Sequence, residues 1–254
     1  MTKKLDENQL ALKEKFIRER GYWAEFWDYL LELNSDFFKA YLEFSSVPWR
    51  HGVLEPKVKE LIYIAIDVAT THLYEPGTKV HMQNAIKYGA TKEEIMEVFE
   101  LTSVLGIHSC TVGVPILVDE LREKGVEISE ELTEKQKKLK EQFINERGYW
   151  SELWDQLLVL NDRYFEAYLN LSAVPWKKGT IDPKIKEFIY IAINASTTHL
   201  YEPGIRIHIK NALNLGATKD EIMEVFQLIS VLGIHTCTEG VPLLVEELKK
   251  RGQG

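Results

Sequence analysis

Thr70-Thr71-His72-Leu73-Tyr74-Glu75-Pro76-Gly77 recurs, letter for letter, as Thr197-Thr198-His199-Leu200-Tyr201-Glu202-Pro203-Gly204. The match extends outward from this segment with no insertion or deletion. Gly21-Tyr22-Trp23 pairs with Gly148-Tyr149-Trp150, and Gly106-Ile107-His108 with Gly233-Ile234-His235. From Leu5 onward, roughly six in ten positions are identical. A period this long marks a duplicated domain, since solenoid units run only about 20–50 residues. Residues 1–125 read as one copy and 126–254 as the second, each long enough for a core of its own. Polar residues kept in both copies are informative, because packing alone does not require them.

The quoted segment sits in a helical pattern. Pro56, favourable in a first helical turn, opens a run through Glu60, Ile62, Tyr63 and Ala65 to about Thr71. Tyr74-Glu75-Pro76-Gly77 breaks it. The next helix carries His81, Asn84, Ala85 and Ile86 up to Gly89, a residue typical just past a helix end. Thr91-Lys92-Glu93-Glu94 has capping-box spacing and starts a helix bearing Ile95, Val98, Phe99 and Leu101. A last helix is expected from about Gly113 to Leu121, closing at Gly125. Upstream, Leu12, Phe16 and Ile17 form one stripe; Trp23, Phe26, Trp27, Leu30 and Leu31 form another. A third stripe, Phe37, Phe38, Tyr41 and Leu42, is expected to break at Val47-Pro48-Trp49. Strand signals are nearly absent. The expected fold is all-α, two similar helical bundles in tandem, joined by a charged helix-rich run from Glu123 to Lys140.

With 45% apolar and 28% charged residues the chain has the composition of a soluble globular protein. A net charge of −8 argues against nucleic acid as a partner, which requires a positive field. No uninterrupted apolar run approaches the ~18 residues that span a bilayer, so no membrane partner is expected. The first residues lack the apolar stretch of a secretory signal, and the expected address is cytoplasmic. The two cysteines, Cys110 and Cys237, are twins and read as small buried residues rather than a disulfide.

Several recurring polar residues are candidates for chemistry. Glu60, Tyr63, Asp67 and Thr71 share one helical face. Glu60, twin of Glu187, borders the apolar face and is a candidate general acid or base; the plainer reading is a solvated edge or an ion pair with Lys57. Of seven histidines only His51 lacks a twin, being replaced by Lys178. His72, His81 and His108 recur as His199, His208 and His235. Each trio can form a catalytic cluster or bind a metal as a three-histidine set, although no spacing fixes two of them on one helical face. Protonated, the imidazoles would also draw in an anion. Glu75 and Glu202 precede the helices of His81 and His208, where they can orient an imidazole or merely answer the helix dipole. Glu93, Glu94 and Glu97 read as capping and surface.

His81, the run Gly89-Ala90-Thr91-Lys92-Glu93-Glu94-Ile95-Met96-Glu97-Val98 and the closing Gly113-Val114-Pro115 together resemble the carboxymuconolactone decarboxylase family, which includes the alkylhydroperoxidase-D-like proteins. The second copy shows the same features at His208, Gly216 to Val225, and Gly240-Val241-Pro242. The resemblance covers roughly residues 50–120 and 177–247. The peroxidase branch carries a Cys-x-x-Cys pair before the histidine. Those positions hold Tyr74 and Gly77 here, and Tyr201 and Gly204 in the second copy, which disfavours dithiol peroxidase chemistry.

The resemblance implies Glu60, His81, Glu187 and His208 as acid–base residues of a lyase that acts on a carboxylated lactone or related organic acid. No metal or organic cofactor is implied. His72, Tyr74, Glu75 and His108, with His199, Tyr201, Glu202 and His235, are assigned to substrate binding. A homo-oligomer is implied too, a trimer of two-domain chains. The alternatives are a metal-binding protein built on the histidine trios and a non-catalytic ligand-binding or assembly module of the same fold.

Overall fold

The computed structural model describes residues 5–129 and 131–251. The first copy forms α1 (Glu7–Arg20), α2 (Phe26–Leu33), α3 (Ser35–His51), α4 (Pro56–Val68), α5 (Glu75–Lys87), α6 (Lys92–Ser103) and α7 (His108–Glu123). The second forms α8 (Glu134–Arg147), α9 (Leu153–Leu160), α10 (Asp162–Ser172), α11 (Val174–Lys178), α12 (Pro183–Ala195), α13 (Glu202–Asn214), α14 (Lys219–Ser230) and α15 (His235–Lys250). Single 3-10 turns, Val104–Ile107 and Val231–Ile234, join α6 to α7 and α14 to α15. No strand occurs among the described residues, so the fold is all-α.

Local signals account for most element ends. Thr91 accepts from the Glu94 N–H while the Glu94 carboxylate accepts from the Thr91 N–H, the reciprocal cap expected. Gly89 ends α5 with φ +85°, a conformation that only glycine adopts cheaply. Two expected boundaries differ. α3 runs through Pro48 to His51, because the proline sits in the last turn, where it removes one bond and leaves the rest of the ladder intact. Its twin Pro175 instead opens the short α11, where its missing N–H is not needed. α7 starts at His108, five residues before Gly113, and carries Pro115 inside it; packing on α9 outweighs the poor intrinsic propensity.

The copies do not keep separate cores. α4 and α12 are buried on every side, from Leu61 to Ile66 and from Phe188 to Ile193, as expected of a helix apolar all round. They pack together, and α6 and α14 complete one central core drawn from both copies. Two satellite cores are exchanged. Phe16, Trp27 and Phe38 of the first copy close over Ile234, Cys237 and Val241 of the second. Phe143, Trp154 and Phe165 close over Ile107, Cys110 and Val114 of the first. Both cysteines are half-buried free thiols.

Buried ion pairs pin the exchange. Lys186 Nζ lies 2.8 Å from Glu97, whose other oxygen accepts from the N–H groups of Thr180 and Ile181 at 2.6 and 2.9 Å. Glu224 does the same for Lys59 at 2.8 Å and for Val53 and Leu54 at 2.5 and 2.8 Å. Glu97 is therefore no surface residue, which corrects the sequence reading. Gly179 and Gly52 make room: a Cβ on either would stand 1.9 Å from the carboxylate and 2.2 Å from a backbone oxygen.

The continuous helical stretches Lys92–Glu123 and Lys219–Lys250 are long and apolar enough to cross a membrane by composition, with mean hydropathy 1.7 and 1.6 over 18 residues. In this fold each is interrupted by its 3-10 turn, with 39% and 33% of the respective apolar windows buried.

Candidate active sites

Each copy supplies the floor of one cavity and the wall of the other. The first cavity lies between α4, α5, the end of α1 and the start of α15, and has a volume of about 440 Å³ counting its mouth. The second, of about 510 Å³, is its counterpart between α12, α13, the end of α8 and the start of α7. Thr71 and Thr198 meet at 3.5 Å between their hydroxyls, on the local twofold relating the two sites.

On the floor of the first cavity Glu60 and His81 form a buried pair. Glu60 Oε2 lies 2.6 Å from His81 Nδ1, and Oε1 accepts from the Asn84 amide at 3.2 Å. Helical geometry makes this possible: Glu60 faces inward from α4, and His81 and Asn84 are three apart on α5. With its carboxylate partner on Nδ1, the imidazole is left with Nε2 for the cavity. Tyr63 stacks on the ring at 4.5 Å between centroids. The second site repeats the arrangement: His208 Nδ1 to Glu187 at 2.6 Å, Asn211 to Glu187 at 3.3 Å, Tyr190 stacked at 4.5 Å. The expected ion pair of Glu60 with Lys57 does not form; Lys57 binds Glu94 at 2.8 Å.

The histidines converge differently from the expectation of a trio within each copy. His72 pairs with His235 of the other copy, Nε2 to Nδ1 at 2.7 Å, and His108 pairs with His199 at 2.7 Å. The sets are thus His72, His81, His235 and His199, His208, His108. Tyr74 stacks on His235 at 3.8 Å and shares a 2.5 Å hydrogen bond with Thr238. Tyr201 does likewise with His108 at 4.0 Å and Thr111 at 2.6 Å. Between each histidine and tyrosine a non-glycine residue takes the left-handed conformation, Leu73 at φ 51° and Leu200 at φ 49°. That strained turn brings both flanking side chains to the site.

The paired imidazoles of His72, His108, His199 and His235 are not the source of positive charge. Burial depresses His235 and His108 to about 3, each further lowered by neighbouring histidines, and it lowers His72 and His199 as well. These rings are neutral hydrogen-bonding groups near neutral pH. Burial also pushes the Tyr74 phenol up to about 12, so it remains an O–H donor.

The cations of the two sites are Arg20 and Arg147, which the sequence reading missed. Each is the last residue of its helix before a left-handed glycine, Gly21 or Gly148, which turns the chain back over the cavity. Arg20 is 3% exposed, lies over Trp49 at 5.2 Å, and leaves Nε and Nη1 without an acceptor. Arg147 lies over Trp176 at 4.8 Å with Nε likewise free. A guanidinium stays charged even when buried, and because Arg20 and Arg147 line their cavities each brings a fixed positive charge to its site. Recurrence in both copies was the available signal; a basic residue in a last helical turn otherwise reads as a response to the dipole.

Glu75 and Glu202 are exposed in first turns; Glu202 binds Arg206 on the surface, and the places beside His81 and His208 belong to Glu60 and Glu187. Tyr74 and Gly77 occupy the peroxidase-cysteine positions. Gly77 is required there, because a Cβ would stand 2.2 Å from Asp67 Oδ2. Asp67 is the one ionisable floor position that differs: Asn194 replaces it in the second site. Burial, opposed by His81 and reinforced by Glu60, raises the Asp67 carboxyl to about 7.

A duplicated all-helical frame with a carboxylate-held histidine and a buried arginine at each site, and no cysteine pair there, defines the class of helical protein. The chain belongs to the carboxymuconolactone decarboxylase family, whose model matches residues 35–107 and 162–242. It is similar to a crystal structure from Burkholderia xenovorans LB400 of a protein proposed to be a gamma-carboxymuconolactone decarboxylase subunit. Identity is 44% over 98% of this chain and 100% of the other, with a TM-score of 0.94. No protein of curated function matches the chain.

Proposed function

We propose that the protein is a decarboxylase-like lyase acting on a small carboxylated lactone or related organic acid. Glu60–His81 and Glu187–His208 are its acid–base groups. The observation that carries this reading is the presence, in each cavity, of a carboxylate-held imidazole and a buried guanidinium with unused donors. Loss of CO2 breaks a carbon–carbon bond and leaves its electron pair on the substrate. That pair spreads into an adjacent carbonyl, and Arg20 or Arg147 offsets the resulting enolate charge within a dry cavity. A proton carried on Nε2 of His81 or His208 then passes to carbon. The neutral pairs His72–His235 and His199–His108, with Tyr74 and Tyr201, orient the substrate by hydrogen bonds. The solved relative supports gamma-carboxymuconolactone as the first substrate to try.

The test is CO2 release from that lactone and from related carboxylated lactones. Turnover by the wild-type protein is expected. His81→Ala with His208→Ala should lower kcat/KM by about 10²–10⁴-fold, and Arg20→Gln with Arg147→Gln should lower it too, with a raised KM. Absence of turnover on every such lactone, or full activity in the double-histidine variant, would overturn the reading.

A further inference from the structure

Three donor atoms from three elements meet beside the first cavity, which His235 lines. Asp67 comes from the last turn of α4, His72 from the strained turn that follows, and His235 from the first residue of α15. His72 Nε2 and His235 Nδ1 are 2.7 Å apart, and Asp67 Oδ1 lies 4.0 and 3.9 Å from them. The Asp67 side chain is 1% exposed, and neither of its carboxylate oxygens receives a hydrogen bond. Such a buried, unanswered acceptor is costly, and the imidazole nitrogens of His72, His81 and His235 stand 3.9 to 4.0 Å away, beyond hydrogen-bond reach. All three donor atoms belong to one compact group with ligand-set spacing.

We propose that Asp67, His72 and His235 form a binding site for one divalent transition-metal ion of the zinc class, present beside the first cavity and absent from the second. A circle through the three donor atoms has a radius of about 2.1 Å, the length of a bond from zinc to imidazole nitrogen or carboxylate oxygen. A tetrahedral ion with bonds of that length needs the two nitrogens to part from 2.7 Å to about 3.4 Å, which rotation of the two rings supplies. Two imidazoles and one carboxylate also match the borderline character of such an ion, which soft thiolate or all-oxygen sites do not. His81 Nε2 lies 4.0 Å from the other Asp67 oxygen, so the bound ion would stand beside the histidine–glutamate pair.

The second cavity is an internal control. His199 and His108 are paired at the same 2.7 Å, but Asn194 replaces the carboxylate and gives its N–H to the Tyr190 carbonyl at 2.7 Å. A neutral amide leaves the charge of a dication unanswered. A bound ion would replace the His72–His235 hydrogen bond that orients substrate in the proposed reaction, and would leave the Glu60–His81 pair intact.

The experiment is a zinc titration of the chelator-stripped, tag-free full chain, by calorimetry and by metal analysis after gel filtration. One zinc per chain is expected at micromolar free metal, falling to none in Asp67→Asn and rising to two in Asn194→Asp. The fold already holds asparagine at the twin position, so Asp67→Asn is expected to fold, and the Asn194→Asp gain gives an independent readout. No zinc or two zincs in the wild type, one zinc that survives Asp67→Asn, or no gain in Asn194→Asp would overturn the proposal.

Discussion

Asp67 shows how one buried charge ties chemistry to stability. Its ordinary value is 3.8 and its value in the fold is about 7, chiefly because burial disfavours the carboxylate. Between those values the folded chain holds a proton that the unfolded chain has released. The stabilising contribution of this group is therefore full below about pH 4, falls as pH rises toward about 7, and is flat above. Asp67→Asn should remove that slope: near-neutral in effect at about pH 4, it should stabilise by up to a few kcal/mol at pH 8. Urea unfolding of both proteins at the two pH values, with chelator present, reads the difference directly; equal effects at both would refute the shift. At this scale recurrence and the family resemblance marked Glu60 and His81 one by one, but not their pairing. The sequence placed Glu75 beside His81 and Lys57 beside Glu60, and only the packing of α4 on α5 joins the two. Arg20 was not marked, since a terminal-turn arginine looks the same in sequence whether it faces solvent or folds back over a cavity. The asparagine at 194 was visible as a difference between copies, but what Asp67 faces depends on His235, far along the chain.

The helices themselves were mostly written locally, in the capping box at Thr91, the proline at position 56 and the left-handed glycine at 89. Where a helix end depends on packing, local reading failed: α7 begins well before Gly113 because its first turns are held by α9. Glu97 failed for a related reason. Its spacing from Thr91 and Glu94 suits a solvated first face, yet that face of α6 abuts α11 and α12 of the other copy. The ion pair with Lys186 makes a sharp expectation. Glu97→Gln removes the only carboxylate paired with a buried ammonium whose other partners are the Pro175 carbonyl at 2.6 Å and the Trp176 ring at 5.4 Å. Stability should drop by about 3–5 kcal/mol, because an uncompensated buried charge is worse than no charge. Adding Lys186→Met should restore much of the loss. Denaturant unfolding of the single and double variants separates this from a surface role, which would give two small, additive changes.

At the scale of the molecule, the duplication that revealed the fold also hid how its copies interlock. Ile234, Cys237 and Val241 close the satellite core of the first copy, and their twins Ile107, Cys110 and Val114 are the same residue types. A pattern that fits α7 against α2 therefore fits α15 against α2 equally well, and no reading of one sequence distinguishes the closed arrangement from the exchanged one. The same equivalence predicts what half the chain will do. A fragment of residues 1–125 leaves the Phe16 core open and exposes one side of α4, surfaces too apolar for a stable monomer. Two such fragments hold every group needed to rebuild the exchange, including Lys59 from one and Glu97 from the other. The fragment should thus pair with itself, and its assembly should match the mass of the intact chain's assembly, in multiples of 29.4 kDa. The higher assembly implied by the family resemblance has a candidate surface in the exposed Ile116, Leu117, Leu243 and Leu244 on α7 and α15. Light scattering after gel filtration tests the pairing. A folded monomeric fragment would show that each copy can close its own core, and the exchanged contacts would then be a choice of linkage rather than a condition of folding.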